Sequence, residues 1–181
     1  WADPGLRRLC ALVFLPFGAF IALSTWTQAL LEPAGVSSAS AGILLIVNVV
    51  VGVAGCAVVP VWAARRRREA STLGVAVLAT AVCCVLLAAA PGLAVGFVAF
   101  TVIGFLLLPA LPIVLELSER RKGAGEGTAA GLIWLSGNAG GLVVAGVVGA
   151  LVDHPGTAFA VLAVLMILPL PLVRGLARST R

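Results

Sequence analysis

The chain has 181 residues, 61% of them hydrophobic and only 10% charged, where a soluble domain carries roughly 25% charged residues. Twelve basic and seven acidic side chains leave a net charge of +5, gathered into short clusters with long apolar stretches between them. An ordinary soluble fold is excluded, and so is a nucleic-acid-binding reading of the basic excess, because the charges flank segments long enough to cross a bilayer.

Between Arg8 and Glu32 lie 23 uncharged residues, which predict a first helix at about 9–31. The 32 residues between Glu32 and Arg65 predict a second at about 39–63. The 46 residues between Glu69 and Glu116 are too many for one crossing, and Pro91-Gly92 near their middle reads as a tight turn, giving helices at about 71–90 and 93–118. The 26 residues between Glu126 and Asp153 predict a fifth helix at about 127–152, and the 19 between His154 and Arg174 a sixth at about 157–174. A β-barrel would need short segments of alternating polarity, whereas these runs are Ala-, Val- and Leu-rich at every phase. The expected fold is therefore all-α, with residues 1–181 forming a single bundle of six transmembrane helices.

All twelve basic residues fall on alternate connections. Arg7 and Arg8 precede the first helix, Arg65 to Arg68 follow the second, Arg120, Arg121 and Lys122 follow the fourth, and Arg174, Arg178 and Arg181 follow the sixth. The positive-inside rule then puts both termini in the cytoplasm and the protein in the plasma (inner) membrane. A single span through the 46-residue gap would put the Arg65 and Arg120 clusters on opposite faces, so the charge pattern supports the split independently. The chain starts at Trp1 and has Met166 as its only methionine, which points to a piece of a longer protein; a trimmed complete protein is the alternative.

Polar side chains inside hydrocarbon are costly unless they face protein or a water-filled cavity. They concentrate on the first helix (Ser24 to Gln28, with Trp26 among them), the second (Asn48), the fourth (Thr101) and the fifth (Trp134, Ser136, Asn138). The third and sixth have almost nothing comparable and are expected at the periphery. Small residues four apart allow close helix approach; the fifth helix supplies Gly137, Gly141, Ala145 and Gly149, with Gly127 and Gly131 as a further pair, and the second supplies Gly52 and Cys56. Cys10, Cys56, Cys83 and Cys84 lack metal-site spacing and read as small buried hydrophobes. The segments AGILLIVNVVVGVAG and AGLIWLSGNAGGLVVAG of the second and fifth helices share a small-residue start, an Asn two turns on and a following Gly. A three-plus-three unit repeated with inverted topology would produce such a pair.

These residues resemble the C-terminal half of a major facilitator superfamily transporter. The likeness is carried by Glu126-Gly127-Thr128-Ala129-Ala130-Gly131-Leu132, by Gly137-Asn138-Ala139-Gly140-Gly141 and by Gly149-Ala150-Leu151-Val152-Asp153 on the fifth helix, and by PIVLELSE from Pro112 to Glu119 on the fourth. The basic loop after the second helix sits where that family carries its G-x-x-x-D-R/K-x-G-R-R signature. Pro60, Ala64 and Arg65 would occupy its Gly, Asp and Arg positions, so the Asp is missing. A narrower likeness is to the feline-leukaemia-virus-receptor-like carriers, through Glu116-Leu117 and Glu126-Gly127-Thr128; there the spacing is one residue short, with Glu119 as the second Glu and Lys122-Gly123 in place of Tyr-Pro. The resemblance implies secondary active transport of a small molecule by alternating access, with a second six-helix bundle, the N-terminal half, as partner, the lipid bilayer as surroundings, and H+ or Na+ as candidate coupling ions. It implies no cofactor, no metal, no nucleic acid and no enzymatic chemistry.

On that reading Asn138 and Trp134, one turn apart, are the first candidates for substrate contact, the amide for a polar group and the indole for an apolar or cationic body. An interhelical hydrogen bond is the competing role for Asn138. Asn48, Gln28 and Trp26 are further binding candidates, with the interfacial-anchor reading ahead for Trp26. Glu116 and Glu119, three apart near the end of the fourth helix, are candidates for coupling or gating together with Arg65; pairing with nearby arginines is the structural alternative. Glu126 opens the fifth helix, where negative charge is favourable. Gly137, Gly141, Gly149 and Gly52 are assigned to helix packing. The competing functions are an intramembrane protease built on Ser136-Gly137-Asn138-Ala139-Gly140, for which the only histidine, His154, lies outside the expected core, and a channel, for which no ring of charge is visible.

Overall fold

The computed structural model describes residues 3–120 and 126–179; Arg121, Lys122 and Arg181 of the expected basic clusters lie outside the described residues. Eight α-helices, and no strand among the described residues, run in the order α1 (Pro4–Leu31), α2 (Ser38–Arg66), α3 (Glu69–Ala89), α4 (Leu93–Leu107), α5 (Ala110–Glu119), α6 (Glu126–Gly149), α7 (Pro155–Ile167) and α8 (Leu170–Ser179). They make six spans long and apolar enough to cross a membrane, with α4–α5 and α7–α8 as the fourth and sixth, the make-up of a multi-pass membrane protein.

Local chemistry explains the boundaries. Asp3 opens α1 by accepting the Gly5 N–H at 2.8 Å, with Pro4 in the first turn. After α1 a short 3-10 turn at Glu32–Ala34 closes on Gly35, whose φ of 78° needs a residue without a side chain. Ser37 then caps α2 by accepting the Ser40 N–H at 3.2 Å. At the other end of α2, Arg67 takes the left-handed conformation (φ 49°) in the position usually given to glycine, and the Arg68 N–H returns to the Ala63 carbonyl at 2.9 Å.

The fourth and sixth spans, expected as single helices, are jointed at Pro109 and Pro169. Each proline removes the N–H that would bind the carbonyl four residues back, and its ring crowds that carbonyl. Pro112 and Pro171 sit three and two residues further on, in the first turns of the second segments. By contrast Pro16 and Pro60 are carried inside α1 and α2 without interruption.

Packing joins α1 to α6, α2 to α4 and α3 to α7, with α3 also lying along α4. At two crossings the backbones nearly touch. A Cβ on Gly18 of α1 would stand 2.7 Å from the Gly140 carbonyl oxygen of α6 and 2.8 Å from the Val144 side chain. A Cβ on Gly104 of α4 would collide with the Asn48 backbone of α2, and one on Gly52, a turn further, would meet the Gly104 carbonyl at 3.1 Å. Lipid tails are as apolar as leucine, so close van der Waals contact of this kind is what holds membrane helices together.

Two apolar clusters fill the bundle. One, at the end that carries the basic residues, gathers Leu6, Ala63, Ala70, Leu117, Val173 and Leu176 from four chain regions bordering the arginines; the other gathers Leu31, Leu44, Leu87, Phe100 and Phe159. The third span, expected at the periphery with lipid all round, buries one side only: Thr80, Cys84 and Leu87 of α3 are fully buried. Its buried side packs on α4, α7 and α8, while Val75, Leu78, Val82, Val85 and Leu86 stand outward on the other. The most exposed spans are α2 and α6, where Val50, Val53, Val58, Leu135 and Leu142 stand outward.

Candidate functional site

Two groups of side chains have chemical interest. The first lies on the outer face of α6. Trp134 is 53% exposed, with its ring 5.7 Å from that of Phe17 on α1. Asn138, one turn on and also exposed, donates Nδ2 to the Trp134 carbonyl at 2.9 Å. Its carboxamide oxygen accepts no bond among the described residues. The face thus offers an indole, an amide and the Phe17 edge side by side, a set that can take an apolar or cationic body and a polar group at once.

The other expected binding residues do not join this face. Trp26 donates Nε1 to the Ala145 carbonyl of α6 at 2.9 Å and lays its ring on Gly149, so it clamps α1 to α6. Gln28 is exposed and donates Nε2 to the Ser38 hydroxyl at 2.9 Å, tying the end of α1 to the start of α2. Asn48 departs furthest from expectation: it is 1% exposed, wedged at the α2–α4 crossing, and its Oδ1 is buried without a hydrogen-bond partner. The backbone there approaches too closely to admit a solute. Ser136 donates to the Cys10 carbonyl of α1 at 2.9 Å, a second clamp. The row Gly137, Gly141 and Gly149 lies against Phe17, Ile21 and Trp26 of α1, and Gly52 against Leu108 of α4. Gly127 and Gly131 face open space.

The second group is ionic. Arg120, closing α5, places Nη1 2.8 Å from Oε1 of Glu69 and Nη2 2.6 Å from Oε1 of Glu116. The hydrogen bond with Glu116, and then the bond and charge of Glu69, raise the guanidinium above its ordinary value. Helix geometry places all three: Glu69 opens α3, where a negative charge meets the positive end of the dipole, and Arg120 sits at the negative end of α5. Because α3 runs antiparallel beside the fourth span, those two ends meet. Glu69 is only 6% exposed and was not singled out from the sequence; the available signal was a lone acid following four arginines at a helix start. Arg65 and Glu119, expected to share the ionic role, are exposed and make no ion pair among the described residues.

No group of three His, Cys, Asp or Glu side chains among the described residues could hold a metal ion, and the four cysteines are free. Two cavities open sideways. One of about 500 Å3 lies between α1, α6 and the α7–α8 joint, bordered by Arg7, Phe14, Ser136 and Pro169. The other, of about 360 Å3, lies between α2, α3 and α4.

No known family model matches the chain. It is similar to an uncharacterised protein of Archaeoglobus fulgidus, 29% identical over 137 residues, which are 75% of this chain and 63% of that relative. The chain thus spans less than two thirds of the length of the curated relative it matches.

Proposed function

We propose that the chain is one six-helix bundle of a secondary active transporter of the major facilitator type, carrying a small molecule by alternating access against a second bundle. The observation that supports this best is the order of packing. The first span pairs with the fifth, the second with the fourth, and the third with the sixth. Exchanging residues of the first three spans for those of the last three maps this set of pairs onto itself, and the two glycine crossings exchange with it: Gly18 on Gly140 for Gly104 on Asn48. Three spans per unit would reverse the direction of the second unit, so this symmetry supports an inverted repeat.

The face bearing Trp134 and Asn138 is where the second bundle and the transported molecule would meet the first. An exposed amide in the middle of a span is costly against lipid and acceptable against water or protein. With 137 residues making up 63% of it, the Archaeoglobus relative is about 217 residues long, room for one bundle of this size and not for two. A second copy of the chain is therefore as natural a partner as a second bundle in the same polypeptide. The charge group Glu69–Arg120–Glu116 would hold the basic end of the bundle together during rocking. On this reading the basic end is cytoplasmic, the membrane is the plasma membrane, and no covalent chemistry is involved.

The protease reading gains nothing from the geometry. Ser136 is engaged with a backbone carbonyl, and roughly 20 Å of helix separates it from the end of α6, beyond which His154 lies.

Single cysteines at positions 134 and 138, in a protein freed of its four native cysteines and reconstituted in vesicles, test the proposal. A charged thiol reagent that cannot cross the membrane should modify both positions, because alternating access exposes the site to water. Reaction only with a membrane-soluble reagent would mean that the face is buried in lipid and would end this reading.

A further inference from the structure

The cavity between α2, α3 and α4 has two unlike ends. Its body is apolar, lined by Val58 and Trp62 of α2, Val75 of α3 and Phe105 of α4. Its rim at the basic end carries Arg68, Ser71 and Thr72. The Thr72 hydroxyl is occupied, donating to the Arg68 carbonyl at 2.9 Å. The Arg68 guanidinium and the Ser71 hydroxyl make no hydrogen bond among the described residues, and both residues are exposed.

Arg68 lacks an internal counter-charge for a specific reason. The adjacent carboxylate, Glu69, is turned into the bundle and taken by Arg120. Arg65, Arg66 and Arg67 stand beside Arg68, all exposed, so the rim keeps an uncompensated positive field. Trp62, 48% exposed at the same level, is the residue type that settles at the boundary of hydrocarbon and headgroups.

From this combination we infer that the cavity holds one acyl chain of an anionic glycerophospholipid from the adjoining leaflet, with its phosphate on Arg68 and Ser71. A soluble anion would gain nothing from the walls of Val58, Val75 and Phe105, and a neutral lipid would leave the arginines unanswered. Val58, Trp62, Val75 and Phe105 of its wall are exposed on the outside of the bundle, so such a lipid would enter sideways without crossing it. The inference needs only that the chain spans a membrane and is independent of the transport proposal.

The test uses the purified, delipidated protein in detergent, offered phosphatidylglycerol and phosphatidylcholine with identical chains, with retained lipid counted by native mass spectrometry. The wild type should retain phosphatidylglycerol preferentially. Arg68→Gln should weaken that retention by about five-fold, the usual effect of one basic side chain near an anionic membrane surface, and leave phosphatidylcholine unchanged. Val75→Trp, which fills the cavity from an exposed position and leaves every arginine in place, should weaken it as well. A melting curve shows that each variant is folded. Equal retention of the two lipids by the wild type would overturn the inference. So would normal retention in Val75→Trp, because the lipid would then be held by the surface field alone, and so would displacement by glycerol phosphate as effective as by the intact lipid.

Discussion

Gly140 is the position where the fold is most sensitive to a single methyl group. A Cβ there would fall on the Phe14 backbone of α1, within 2.7 Å of its carbonyl carbon and 3.0 Å of its Cα. Carbon atoms rest at about 3.5 Å or more, and the Phe14 carbonyl oxygen stands nearer still, so Gly140→Ala must part α1 and α6 by at least about 0.8 Å at their crossing. A gap of that size forfeits about a quarter to a half of the contact attraction, and no hydrophobic force between helices compensates in a membrane. The clamps on either side, Ser136 to Cys10 and Trp26 to Ala145, would stretch too, at about 0.6 kcal/mol each. The expected loss is about 2 kcal/mol, within the usual range for overpacking. Gly146→Ala is the control, since nothing lies within 4 Å of a Cβ at that position of the same helix; there the change should be neutral or slightly stabilising. Thermal unfolding in detergent, followed by dye labelling of the buried Cys10, Cys83 and Cys84, reads both variants. Equal melting of Gly140→Ala and Gly146→Ala would refute the claim that close backbone approach holds α1 to α6.

Other substitutions test the remaining features. Arg120→Ala leaves the buried Glu69 without its partner and should cost about 1–2 kcal/mol, discounted because the arginine is half exposed; Glu69→Gln in the same chain should recover part of that loss in a double-mutant cycle read by the same melt. Arg67→Gly relieves a left-handed backbone at the end of α2 and should stabilise by about 0.5–1 kcal/mol, seen as a raised melting temperature. Trp26→Phe removes the bond to Ala145 and the outer indole atoms that lie on Gly149, a loss of at least about 0.6 kcal/mol; Trp26→Ala should cost clearly more in a denaturant titration. Asn138→Leu should leave the melt unchanged, because its only hydrogen bond is within α6, and should weaken uptake into vesicles if the face binds the transported molecule; unchanged uptake would reduce Asn138 to a surface residue.

The number of spans was readable because it depends on length and charge, both one-dimensional. Every gap between charge clusters holds at least 19 uncharged residues, enough for one crossing, and Pro91-Gly92 divides the 46-residue gap that is too long for one. The joints at Pro109 and Pro169 were missed although the prolines are plain in the sequence. Pro16 and Pro60 show why: a proline inside a span can be carried or can interrupt, and neighbouring helices decide which.

What the sequence by itself determined is that the chain is helical, has six segments long and apolar enough to cross a membrane, and gathers its basic residues on alternate connections. Only the tertiary structure decided which faces meet. In water a helix announces its buried side by the period of its apolar residues, but in a bilayer lipid and protein are equally apolar, and a run such as that of α3 carries no such mark. Hence α3 buries one side and exposes the other, Asn48 is sealed into a crossing while Asn138 stands outside, and Arg120 reaches Glu69 across 51 residues of chain. Each of these depends on which small residue lies opposite which backbone, a matter of contact geometry that no stretch of sequence records alone.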